Sequence, residues 1–99
     1  TLIVEYYTYI VRCADNTLYT GWTQDVSKRV AAHNSGSGAK YTRTRRPVTL
    51  AWSQAFSTKH DAMHWEWQIK KWTRAKKETL CRRQARVPSG GIALHEEMV

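Results

Sequence analysis

Two short aromatic segments, Tyr7-Thr8-Tyr9 and Tyr19-Thr20-Gly21, stand about ten residues apart, and Arg29 and His33 follow them. A spacing of four places Arg29 and His33 on one face of a helix. A guanidinium can grip phosphate oxygens through two parallel hydrogen bonds, which suits it to the extra negative charge of a phosphoryl transition state. His33 can hydrogen-bond a phosphate or shuttle a proton, although a single helix histidine serves equally as a surface or packing residue. Further along, Glu66 falls between Ala62 and Ile69, at the margin of an apolar stripe. A carboxylate there is costly unless it is paired or bound to a cation. A divalent metal satisfies it, and so does Lys70 four residues on.

These groups need elements to bring them together. The run from Glu5 to Cys13 and the run Leu18 to Thr23 are rich in aromatic and β-branched residues and predict a β-hairpin across Ala14-Asp15-Asn16. With Asn16 left-handed in a three-residue loop, Tyr9 and Tyr19 become diagonal neighbours on one face. Thr23 or Asp25 can cap a helix that carries Val26 and Val30 on its buried stripe and ends near Ser35, where Gly36 can terminate it. The segment SGSGAKYTRTRRP that follows holds much Gly, Ser and charge and reads as a mobile basic loop, and VTLAWSQAF after it reads as a third strand. Thr58 and Asp61 then open a helix with Ala62, Trp65, Ile69 and Trp72 at helical spacing, and a further helix is expected from Thr73 to about Arg83. The fold class expected is mixed α/β, a three-stranded antiparallel sheet flanked by helices, with a domain over 1–83 and a weakly ordered tail over 84–99.

The chain has 99 residues, enough for one hydrophobic core, and its five Trp and five Tyr can fill it without a disulfide staple. Cys13 and Cys81 form no CxxC pair and no zinc-ligand cluster, so reduced thiols are expected. The apolar run Leu2-Ile3-Val4 stops at Glu5 and is too short for a membrane span, and a cytoplasmic protein is the expectation. Sixteen Lys and Arg against eight Asp and Glu give a net charge of +8, which favours a polyanionic partner. Lys40, Arg43, Arg45 and Arg46 of the Gly-rich segment are candidate nucleic-acid contacts, with Tyr41 available to stack on a base. The second basic run, Lys70 to Arg83, reads as a solvated helix face interrupted by Glu78.

The order and spacing of Tyr7-Thr8-Tyr9, Tyr19-Thr20-Gly21, Arg29, His33 and Glu66 resemble the GIY-YIG nuclease family, and HNSGSGAKYTRTRRP is similar to its small stand-alone bacterial members. The triplets depart from Gly-Ile-Tyr and Tyr-Ile-Gly but keep the tyrosines and the second glycine. No Asn follows Asn34, whereas many members carry one after the glutamate helix. The resemblance implies a metal-dependent endonuclease, on DNA ahead of RNA, with Tyr9, Tyr19, Arg29, His33 and Glu66 at the catalytic site. Tyr9 is the implied base, Arg29 the implied phosphate contact and Glu66 the implied ligand of Mg²⁺ or Mn²⁺. A tyrosine near pKa 10 can act as base only if its surroundings lower that value, and Arg29 with a hydrated metal is expected to do so. The alternative is a nucleic-acid-binding module of the same fold with little or no turnover; no membrane and no protein partner are expected.

Overall fold

The computed structural model describes residues 4–86, with side chains through residue 83. The order of elements is β1 (Tyr6–Arg12), β2 (Leu18–Thr23), α1 (Val26–Ser35), α2 (Lys40–Arg43), β3 (Thr49–Phe56), α3 (Lys59–Lys70) and α4 (Arg74–Arg86). α4 continues past 83, the expected domain end, and the rest of the expected tail, 87–99, lies outside the described residues. No helix among the described residues is long and apolar enough to cross a membrane.

The hairpin forms because its loop chemistry allows it. Asn16 takes φ 70°, and the loop is held by Cys13 N–H donating to Thr17 O at 2.8 Å and Asn16 N–H donating to Cys13 O at 2.9 Å. Asp15 Oδ1 accepts from both the backbone and the hydroxyl of Thr17. This sets Tyr9 opposite Gly21 and Val11 opposite Tyr19, so Tyr9 and Tyr19 are diagonal neighbours as the loop length predicts. β3 adds to the far edge of β1, giving the antiparallel order β2-β1-β3.

Strand alternation then divides the core between two faces. Ile10 and Trp52, paired across β1 and β3, join Ile69, Leu80 and Cys81 in the cluster covered by α3 and α4. Ala62 and Ile69 of the expected stripe are buried, and Trp65 and Trp72 pack against that cluster. On the other face, Tyr9, Val11, Cys13 and Val48 form a second cluster with Tyr19 and Val30. α1 differs from expectation here. Val26 and Val30 are only half-buried, and the one fully buried side chain of the helix is His33.

Caps define the helix ends. Asp25 Oδ1 accepts from Lys28 N–H at 3.0 Å, Gly36 closes α1 at φ 91°, and Thr58 accepts from Asp61 N–H. Thr73 accepts from Lys76 N–H ahead of α4. The segment expected to be a mobile loop contains the short helix α2, with Thr42 buried, and Asn34 ties its far end by donating to Val48 O and accepting from Val48 N–H. On α4, Arg74 and Arg82 are exposed, as expected of a solvated basic face, while the acid that interrupts the run is tied to the hairpin. Glu78 takes two hydrogen bonds from Arg12, at 2.9 and 2.6 Å, and one from Arg74, whose guanidinium also reaches Asn16 O. α4 is thereby latched to the hairpin.

Arg12 foremost, and Arg74 after it, hold the Glu78 carboxyl down at about 2 against an ordinary 4.5. The folded value lies below the unfolded one, so this stabilisation is complete above 4.5 and is lost as pH falls toward 2. Glu78→Gln is expected to lower stability by about 1 kcal/mol at neutral pH, after allowance for solvent screening. Denaturant melts at pH 7 and pH 3 check this: the wild type and the variant should differ less at the lower pH.

Candidate active site

The face of the sheet that carries α1 holds a buried line of polar groups. Tyr9 Oη lies 2.7 Å from His33 Nε2, and His33 Nδ1 lies 2.8 Å from Thr42 Oγ1. Thr42 has one hydroxyl proton and gives it to Ala39 O at 3.0 Å. Its oxygen therefore accepts from Nδ1–H, which leaves Nε2 bare to accept the phenol proton of Tyr9. The approach of Ala39 N–H to Nδ1, at 3.4 Å, is the longer contact and does not decide the tautomer. The sequence offered no sign of Thr42: it sits nine residues from His33 in a segment without hydrophobic periodicity.

Two glycines make room for this line. A Cβ on Gly21 would stand 2.6 Å from Tyr9 Oη, so the phenol lies across the bare backbone of β2. A Cβ on Gly38 would stand 2.5 Å from His33 Nδ1 and 2.8 Å from its Cα, so the chain after α1 can close over the imidazole only with glycine there.

Arg29 Nε donates to Tyr9 Oη at 3.4 Å, a long and weak bond. Tyr9 and His33 have no accessible surface. Burial raises the Tyr9 pKa, Arg29 opposes this by hydrogen bond and charge, and smaller repulsions from Tyr19 and Glu66 add to the rise. Arg29 without a metal beside it therefore does not bring the Tyr9 pKa down: desolvation outweighs it. Burial foremost, then Arg29, pushes the His33 pKa down, so the imidazole is held neutral.

Tyr19 packs its ring edge-on to His33 at 5.4 Å and stacks on Tyr41 at 5.8 Å, and the Arg45 guanidinium lies 4.0 Å over Tyr41. Of the five residues expected to grip nucleic acid, Arg45 is turned onto Asp15 and Tyr41 O, and Arg46 onto Arg43 O and Asn34 O. Lys40, Tyr41 and Arg43 are exposed.

Glu66, its side chain 20 % exposed, pairs with Lys70 Nζ at 3.0 Å. Lys70 also stands 5.8 Å from the Tyr19 ring centre, so the carboxylate and ammonium of α3 belong to the same neighbourhood as the tyrosines. Lys77 has its pKa lowered by burial and by Lys70, which places a second lysine close by. The spacing of four from Glu66 pointed to Lys70; nothing in the spacing singled out Lys77. Among the described residues no three His, Cys, Asp or Glu side chains converge on a metal position. Glu66 alone fits an ion that keeps most of its waters and takes one carboxylate, which is the habit of Mg²⁺.

This geometry has relatives. Residues 5–79 match the family model described as the GIY-YIG catalytic domain. The UPF0213 protein YazA of Bacillus subtilis is 53% identical over 74 residues, covering 75% of each chain. The UPF0213 protein of Halobacterium salinarum is 52% identical over 75 residues, which cover 76% of this chain and 97% of that one. The solution NMR structure of the protein EF2693 from E. faecalis is similar with a TM-score of 0.57 at 35% identity, covering 90% of this chain and 95% of that one. With Tyr9, Tyr19 and His33 together on the α1 face of a β2-β1-β3 sheet and residues 5–79 matching its model, the chain belongs to the GIY-YIG catalytic-domain family.

Proposed function

We propose that this chain is a divalent-metal-dependent phosphodiesterase that cuts nucleic acid internally, DNA ahead of RNA. The observation that carries the reading is the line Arg29, Tyr9, His33, Thr42: a phosphate-binding cation at one end and a neutral imidazole, fixed in its accepting tautomer, at the other. Membership in the GIY-YIG family supports the nuclease class.

Tyr9 is protonated at neutral pH, so it acts by exchange. As its oxygen takes a proton from the attacking water, it hands its own to His33 Nε2. Thr42 holds the imidazole and accepts from Nδ1–H throughout. Because Tyr9 is covered, access requires its neighbours to move, and the weakest bond there is the one from Arg29. Arg29 turning onto a phosphate would open the phenol and stabilise the charge that develops on the transferred group. Glu66 would hold Mg²⁺ or Mn²⁺, which when bound would supply Lewis-acid stabilisation of the phosphate and the leaving oxygen. Lys70 has to leave the carboxylate for this to happen. That ion pair favours a second reading, a binding module in which Glu66 has a structural role.

Cleavage of labelled DNA with Mg²⁺ separates the two: Tyr9→Phe and Glu66→Ala are each expected to lower kcat by roughly 10²-fold or more with binding retained. Binding without any cutting by the wild type would establish the module instead. His33 must be neutral to accept a proton, and its pKa lies below the ordinary 6.5. Activity should therefore persist down through pH 6.5 and fall only below it; a rate profile already half lost above that value would remove His33 from the proton path. Relieving the competing ammonium by Lys70→Gln should tighten Mn²⁺ binding, read by calorimetry, by about threefold to tenfold.

A further inference from the structure

The outward face of α3 carries metal-ligating side chains that take no part in the polar line around Tyr9. Ala62 and Ile69 are buried beneath the helix, and on the side turned away from them stand His60, Met63 and His64. All three are exposed, Met63 by 43%. Positions i, i+3 and i+4 form a triangle on one helical face, with the side chains three and four apart separated by about 5–6 Å at Cβ. Two imidazoles four apart on a helix can close on one cation, each through a single nitrogen at about 2.0–2.1 Å. The third corner of the triangle is a thioether.

Both imidazoles are free for such use. Among the described residues neither has a hydrogen-bond or ion-pair partner, and His64 has a ring contact with Trp65 at 5.3 Å between centres. Lys59 carries its ammonium away toward the sheet, 5.2 Å over the Trp22 ring, whereas Lys71 stays on the outward face, 3.2 Å over Trp67. With that lysine nearby and a net charge of +8, the electrostatic cost of holding an ion rises with the charge of the ion. The donors point the same way. Imidazole accepts zinc, nickel and copper alike, but a thioether is soft and uncharged and favours Cu(I). A hard ion such as Mg²⁺ requires oxygen ligands, and this triangle offers none.

We propose that His60, Met63 and His64 form a copper(I)-binding site, in which the two imidazoles chelate the ion and the thioether selects it. The site uses no residue of the proposed active site and stands or falls independently of hydrolysis.

The test is anaerobic titration of the whole chain with Cu(I) against bicinchoninate, whose copper complex is coloured, so that copper taken up by the protein is read as lost absorbance. The wild type is expected to withdraw one equivalent. His60→Gln, His64→Gln and Met63→Leu should each weaken Cu(I) binding by about tenfold or more, at least the loss that follows removal of a ligand's supporting partner. The three positions are exposed on a helix and each replacement is a good helix former, so thermal melts should match the wild type. Zn²⁺ binding, read by calorimetry, should fall in both His variants and change less than about twofold in Met63→Leu, because a thioether adds little for that ion. Glu66→Ala should keep Cu(I) affinity within about twofold. No copper withdrawn, or copper held with unchanged affinity in all three variants, overturns the site; the latter result would assign the metal to the buried Cys13 and Cys81 thiols. Weakening in the His variants with Met63→Leu at wild-type affinity would leave a plain imidazole pair and overturn the selection of Cu(I). Loss of copper in Glu66→Ala would overturn the separation from the active site.

Discussion

The hydrogen bond between the Tyr9 phenol and His33 Nε2 is the constraint on which the rest of the site depends. Both groups are fully buried, and each would lose about 1–3 kcal/mol if left there without a partner. The fold therefore has to bring the centre of β1 and the C-terminal half of α1 within one bond length of each other. The other features follow. β2 must offer a bare backbone at Gly21 for the ring to cross, and the segment after α1 must offer Gly38 to pass over the imidazole. Thr42 must come back to take the second ring nitrogen.

Placing a polar line on the α1 face is feasible because the apolar demand is met on the opposite one. Ile10, Trp52, Ile69 and Leu80 fill the space beneath α3 and α4. The buried Thr8 hydroxyl on β1 is satisfied there by Ala62 O at 2.7 Å. Successive β1 residues thus serve different ends: Thr8 and Ile10 anchor the layer of long helices, and Tyr9 between them faces His33 and the buried polar line. A one-residue slip of the hairpin would exchange these roles, and the αL residue Asn16 guards against it.

Much of this was legible in the residues. The hairpin loop, the diagonal tyrosines, the Asp25 and Thr58 caps and the apolar stripe of α3 follow from short-range rules that act within a few residues, so local sequence carries them. The tertiary partners do not work that way. Thr42 lies in a stretch whose composition says loop, because one buried hydroxyl in an otherwise exposed turn leaves no periodic trace. The direction of the Tyr9 pKa shift was also out of reach, since it is set by how far burial outweighs Arg29, and burial is a property of the packed sheet and helix together. Glu66 was visible as an odd carboxylate; which cation answers it depends on side-chain placement across α3, and here Lys70 does.

The segment that joins α1 to β3 is fastened at three places. Asn34 clamps Val48 at its far end, Gly36 closes α1 at its near end, and Thr42 is drawn into the interior between them. The exposed Lys40, Tyr41 and Arg43 flank the middle fastening, the bond that orients the imidazole. The outer surface of the segment and the buried polar line thus share one fastening, the Thr42 hydroxyl.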